Sequence, residues 1–515
     1  MTEVNLPKST VNILSATQTQ STAPVKVLFI GQKLAGGTAS AGALIESIGN
    51  DGSEDTLFGQ RSILASMIRQ AKRYNKITRF DAIALDDNGS AVKATAVIAL
   101  TGPATAAGTL LVSVGSRPQH QYTIAVANTD TATIIGDAIV AAITADADAP
   151  FTAVNVTGTV TITASNGGTL ANSWSVEVTG TVTGVTYTVT GWTGGATDPT
   201  ITTLLATIDG IRYNSIVWQH NLSLATVSAY LDARFNATNA VLDGRAFATK
   251  SDTLANIKAA ANALNSKSLV LLSAKSVNAT YYKGCSLFEL PDVISAVSAA
   301  VDALRLTQDA NITAYSIGSG GPADLVGGPH ISAMPMFNTP LSTLPIIDAG
   351  RGFTATEVDE LKAAGASVLG NNRTRTTILM GEIVTTYKTD AAGNPDTTFK
   401  YLEFVETESA IREIFFNNIK ATFAQHRLTS GDVIPGHKIA NASIINAEYL
   451  RLYGLMSGPG YVLTQAGQAA VKYFDDHLVT TIDLTNGRAT TSMQVPIVTQ
   501  YREAIVQMQI AFSTI

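Results

Sequence analysis

The run "VKVLFIG" at 25–31, read together with "RSILASMIRQAKRYN" at 61–75, sets the fold. The first is a continuous apolar strand that ends in a glycine turn. In the second, Ile63, Met67, Ile68 and Ala71 fall at helical spacing. Strand followed by amphipathic helix predicts an α/β layer. A further strand, "FDAIALDD", follows at 80–87, and the alternation resumes near 201 with "ITTLLATIDGIRYNSIVWQ", "LANIKAAANALNSKSLVLLSA" and "LPDVISAVSAAVDALRL". The α/β unit is therefore split over 25–90 and 198–349.

The block between, 91–197, differs in kind. Its stretch "FTAVNVTGTVTITASNGGTLANSWSVEVTGTVTGVTYTVTGWTGG" is rich in threonine and valine, is punctuated by glycine, and carries only Glu177 as a charge. β-Branched residues between short turn signals predict antiparallel strands in a sandwich or barrel. Within it, "TIIGDAIVAAITAD" at 133–146 predicts one helix. An all-β module thus interrupts an α/β domain.

Beyond 350 the chain becomes α+β. "FTATEVDELKAAG" at 353–365 carries two overlapping N-cap signals, Thr354 with Glu357 and Thr356 with Asp359. "ILMGEIVTTYKTDAAGNPDTTFKYLEFV" predicts two strands around an "AAGNPD" turn. The helix "ETESAIREIFFNNIKATFAQH" follows, with Ile411, Ile414, Phe415, Ile419 and Phe423 on one face. A helix over about 463–479 and a terminal strand close the sequence. In that strand, 501–515, Val506, Met508, Ile510 and Phe512 alternate with smaller or polar residues, the period of a strand with one buried face.

Composition narrows the function. The 515 residues include only 14% charged and 45% hydrophobic side chains, with a mean hydropathy of +0.19. So little charge points to surface buried against copies or partners. A net charge of -6 leaves no basic footprint, so nucleic acid is not an expected partner. No apolar run reaches membrane-spanning length, and "MTEVNLPKSTVNILS" lacks the order of a signal peptide; no membrane insertion is expected. A single cysteine, Cys285, excludes an intrachain disulfide framework.

Motifs for chemistry are missing. "LFIGQKLAGG" follows a strand but fits neither G-x-G-x-x-G nor G-x-x-x-x-G-K-[ST]; it reads as a loop leaving a sheet edge. "SIGSGGPADLVGGPH" at 316–330 reads as a surface loop. The six histidines show no paired metal-ligand spacing, and Asp86, Asp87, Asp390 and Asp396 lie in turns where they cap the backbone. No G-x-S-x-G elbow is present. Neither catalytic residues, cofactor nor metal is expected.

The two ends remain. Residues 1–24 combine a short apolar segment (Val11, Ile13, Leu14) with a Ser/Thr/Gln tract, which is either an extended arm or a frayed tail. The terminal strand either folds into its own domain or adds to the sheet edge of another chain.

Several segments resemble the C-terminal half of the contractile-tail sheath proteins of myophages: "GFTATEVDELKAAGASVL", "ILMGEIVTTYKTDAAGNPDTTFKYLEFVETESAIREIFFNNIKATF", "HRLTSGDVIPGHKIANASIINAEYL" and "NGRATTSMQVPIVTQYREAIVQMQI". "RLTSGDVIPGHKIA" and the opening "VKVLFIGQKLAGGTA" are similar to the Mu-like sheath group. The resemblance covers the last third well and 25–90 and 200–350 loosely; the threonine-rich insertion is not covered. It implies α/β and α+β domains with extended arms at both ends. The insertion at 91–197 would face outward, 350–495 would face a tail tube, and 496–515 would be a donated strand. It further implies stacked hexameric rings in a virion tail, assembled in the host cytoplasm. The partners implied are copies of itself, the tail tube protein, baseplate and tail terminator or neck proteins. Donor residues would be Val506, Met508, Ile510 and Phe512 at one end and Val11 and Ile13 at the other; 17–24 and the region before Pro496 would act as hinges. A releasable tube contact is expected at Lys472, Asp475 and Asp476, where polar groups are exposed. Rival readings are a tailocin or injection-system sheath, a viral adhesin or decoration protein, and an α/β enzyme with a β accessory domain.

Overall fold

A computed structural model describes residues 25–49, 51–201, 204–235, 241–307, 336–433, 437–457 and 464–498. Its centre is a parallel sheet in the order Arg79–Leu85, Lys26–Gln32, Ser215–Trp218, Arg245–Asp252, Leu269–Asn278. The strand "VKVLFIG" is therefore central, not a sheet edge. Its residues divide between two cores: Val27 and Phe29 face one layer, Leu28 and Ile30 the other. A strand covered on both sides has no polar face to show, which is why it reads as an unbroken apolar run.

Helices Ile63–Tyr74 and Pro291–Thr307 cover the first face and pack on each other. Ser62 caps the former by accepting from the Ala65 amide. The second face is covered by Leu224–Arg234 and Leu254–Asn262, the latter against Ala355–Ala364. Of the two capping signals near 354, the structure uses the first: Thr354 and Glu357 form a reciprocal capping box, and the helix ends at Gly365, where φ is +86.

The insertion holds the expected antiparallel strands and the helix Ala132–Ala145. It has two sheets. One is four-stranded: Thr186–Thr193, Thr95–Thr101, Thr159–Ala164, Phe151–Val156. The other, Val176–Thr179, Gly108–Val114 and Gln121–Val126, is hydrogen-bonded through Tyr282–Cys285 to the strand Leu269–Asn278. One sheet thus runs from the α/β layer into the insertion. Glu177, the lone charge of the threonine-rich stretch, fastens this junction: it pairs with Arg117 and lies 3.1 Å from Arg351.

The two strands expected around "AAGNPD" are not there. Only Ile378–Met380 is a strand, beside single bridges at Val384–Tyr401 and Thr389–Pro395. The arms still bond across the turn, Thr385 to the Lys400 carbonyl and Asp396 to the Lys388 carbonyl, but the Thr386 and Lys388 amides go to the Leu269 carbonyl and the Asn265 side chain, which interrupts the pairing. The long helix Leu402–Phe423 starts in the main core at Leu402. It ends in a separate cluster, where Ile411, Ile414 and Phe415 pack with Leu452, Tyr453, Met456 and Phe474.

Candidate functional site

In folds of this order, ligands bind at the carboxyl ends of the parallel strands, where the connection direction reverses. Here that point lies between Lys26–Gln32 and Ser215–Trp218, and side chains fill it. The Gln32 amide donates to Gln219 Oε1 (2.6 Å), and Gln219 Nε2 returns a bond to Gln32 Oε1 (2.5 Å). Gln32 Nε2 donates to Asp87 (2.6 Å) and to the Gly167 carbonyl (2.8 Å); the Gly167 amide donates to Asp87 (2.7 Å). Asp87, expected to cap its own turn, thus binds across the chain to the insertion. A Cβ at Gly168, where φ is +95, would lie 2.6 Å from Asp198 Oδ1, so only glycine fits this approach. The insertion loop is a plug, and no phosphate cradle is left.

The other polar concentration joins the long helix to the α/β layer. Arg412 reaches Asp243 at 2.8 Å, Ser409 Oγ donates to the same carboxylate at 2.9 Å, and Arg212 meets Glu413 at 2.5 Å. One turn earlier Glu406 pairs with Arg305 and lies 3.4 Å from Arg245. Burial pushes the Glu406 carboxyl up, and the two guanidinium groups oppose that shift. These are structural charges: each is matched across a seam and none opens on a pocket.

Beyond that seam lies a small exposed hairpin. Val479–Asp483 and Arg488–Ser492 form a two-stranded antiparallel hairpin, each strand with one edge unpaired in the sheet among the described residues. Its turn is held by Asp483, which accepts from the Asn486 side chain at 2.6 Å and from the Asn486 and Thr485 backbone amides; these bonds hold its carboxyl below the usual range. Val479 and Leu484 are more than half exposed. An isolated hairpin of two strands is marginal in water, and an open edge is a template for another strand. A second small pair, Arg427–Leu428 with Ile439–Ala440, runs parallel within "RLTSGDVIPGHKIA".

The donor residues Val11, Ile13, Val506, Met508, Ile510 and Phe512 lie outside the described residues, as does the loop at 316–330. The region before Pro496, expected to act as a hinge, is anchored instead. Pro496 accepts from the Gln465 amide, and Met493, Val495 and Ile497 pack on the C-terminal cluster.

Lys472, Asp475 and Asp476 stand on the exposed face of the helix Gln468–Asp476, whose other face buries Ala470 and Phe474. Phe474 stacks on Tyr453 at 4.4 Å. Lys472 pairs with Asp476 at 2.8 Å, and the bond raises the lysine pKa. Two aspartates at a helix C-terminus face the negative end of its dipole, a placement that costs stability. Among the described residues no cluster could hold a metal ion, and no helix is long and apolar enough to cross a membrane.

No family model matches the chain. It is 26% identical over 450 residues to the Mu-like prophage FluMu tail sheath protein of Haemophilus influenzae, spanning 86% of this chain and 84% of that protein. Among solved structures it is similar to a sheath tail protein of Listeria innocua (10% identity, TM-score 0.46, 93% of each chain). It is also similar to the helical sheath of the anti-feeding prophage in its contracted state (10% identity, TM-score 0.45, 98% of each chain). Both structural likenesses are too loose to assign a fold. The sequence relationship is what counts: across most of its length, the chain is a relative of a Mu-like tail sheath protein.

Proposed function

We propose that this chain is the structural subunit of a contractile tail sheath, polymerising as stacked hexameric rings around a tail tube and contracting to drive the tube through an envelope. The observation that carries this reading is the 26% identity sustained over 86% of the chain with a protein named as a tail sheath. The role proposed here is structural.

In this reading the strand at 501–515 leaves its own chain and lies along an open edge of the hairpin Val479–Asp483/Arg488–Ser492 in a neighbour. Backbone hydrogen bonds supply affinity, and Val506, Met508, Ile510 and Phe512 set the register. The N-terminal segment around Val11 and Ile13 does the same at another edge. Pro496 and Ile497 are anchored, so the region before Pro496 does not serve as the hinge of the C-terminal arm. The domain formed by 350–495 faces the tube through Lys472, Asp475 and Asp476, and the insertion at 91–197 projects outward. Contraction is a rigid-body change between two subunit packings, with the arms keeping their bonds. Assembly takes place in a host cytoplasm and the product is a virion tail, capped by baseplate and terminator proteins.

The test is negative-stain microscopy of the purified protein. Hollow cylinders of uniform diameter are expected; a protein that stays monomeric at high concentration and with added tubes overturns the reading.

A further inference from the structure

A cleft of about 820 Å³ opens where the insertion meets the carboxyl ends of Arg245–Asp252 and Leu269–Asn278. Ser173 and His220 both line it. His220 Nε2 lies 3.1 Å from Ser173 Oγ, and His220 Nδ1 lies 2.8 Å from Oδ2 of Asp292. Asp292 is fully buried, its other oxygen accepts the His220 amide at 2.7 Å, and it stands in the first turn of the helix Pro291–Thr307. The positive end of that helix favours the carboxylate. A carboxylate can only accept, so Nδ1 carries the imidazole proton and the Nε2 lone pair faces the serine hydroxyl. Nucleophile, base and orienting acid are thereby aligned, each within hydrogen-bond reach of the next.

The remaining lining is mostly hydroxyl, amide and ammonium: Thr169, Asn172, Asn221, Lys250, Asn278 and Lys283. Such walls suit a polar, hydroxyl-rich molecule and offer no slot for a long acyl chain.

We propose that Ser173 is an activated nucleophile that takes a short acyl group from esters of polar, hydroxyl-rich molecules. This chemistry lies outside the structural role and does not depend on it. Ser173 Oγ bonds to the ester carbonyl carbon while its proton passes to His220 Nε2. The carbonyl oxygen becomes a tetrahedral oxyanion within the polar cleft. The carbon–oxygen bond to the alcohol then breaks, and the alcohol leaves with the proton from His220. Water attacks the acyl-serine, giving its proton to His220; the bond to Oγ breaks, Ser173 regains the proton, and a carboxylic acid departs.

The test treats the full-length protein with a fluorophosphonate, whose fluoride is displaced by an activated serine, and locates the adduct by peptide mass spectrometry. p-Nitrophenyl acetate hydrolysis is followed in parallel. Labelling at Ser173 is expected, abolished by Ser173→Ala and slowed about 100-fold by His220→Gln, the scale of a lost general base. Circular dichroism of both variants checks that the fold is kept. Absence of a Ser173 adduct on the folded protein overturns the proposal. So does an adduct that forms as fast in a folded His220→Gln protein.

Discussion

Arg412 Nη1 lies 2.8 Å from Oδ2 of Asp243, and through this pair the long helix Leu402–Phe423 is tied to the α/β layer. Asp243 is buried and also accepts from Ser409. Removing one partner of a buried pair strands the other, at about 3–5 kcal/mol. Asp243→Ala should therefore destabilise the protein by roughly 3 kcal/mol. Limited proteolysis should cut first between the α/β layer and the C-terminal cluster. Cleavage kinetics equal to the parent protein's would show that the seam carries no such weight.

The filled crevice makes a second prediction. Gln219→Leu leaves the Gln32 amide, Gln32 Oε1 and Asn221 Oδ1 without the partners they now have. Each stranded group costs about 1–3 kcal/mol. Thermal unfolding should show a clear loss of stability, whereas a variant as stable as the parent would mean that water replaces the glutamine without penalty.

Glu289 gives the protein a pH dependence of definite sign. Burial pushes its carboxyl up to about 8 from the ordinary 4.5; its oxygens accept from Ser116 Oγ and the Leu290 amide. Between those values the folded state holds a proton that the unfolded chain has released. Stability from this group therefore falls as pH rises from about 4.5 to about 8 and levels off above. Glu289→Gln keeps the shape and removes the titration. Urea midpoints at pH 5 and pH 8.5 should differ less in the variant than in the parent; equal differences would contradict the assignment.

At the proposed tube contact, Asp475→Lys and Asp476→Lys reverse charge where the helix dipole already favours a cation. The double variant should keep its helix content and its cylinders formed without tubes, yet polymerise poorly on tubes. Loss of both kinds of assembly, or of neither, would remove Lys472, Asp475 and Asp476 from the tube-facing surface.

Much of this fold is written in local patterns. The apolar strand at 25–31, the helix after Ser62, the Thr354 capping box and the threonine–valine strands of the insertion follow from spacing within a few residues, because each is decided by local burial or capping. What could not be read depends on pairing between distant residues. Gln32 and Gln219 are 187 residues apart, and nothing in either neighbourhood announces the other. The same holds for the strand Tyr282–Cys285, which splices the insertion's sheet onto the central one. The interrupted strand pair around "AAGNPD" shows the converse, since its local turn signal was sound but the Thr386 and Lys388 amides found partners at Leu269 and Asn265. Ser173, His220 and Asp292 belong here too: the G-x-S-x-G test looks for one local geometry, and these residues meet by another route.

The account rests on where the last fifteen residues go. A cryo-electron microscopy map of assembled cylinders, traced through 501–515, tests this most directly. The account predicts that Val506, Met508, Ile510 and Phe512 lie in a strand hydrogen-bonded to the hairpin Val479–Asp483/Arg488–Ser492 of a neighbouring subunit. A trace that returns this strand to a sheet of its own chain would contradict it.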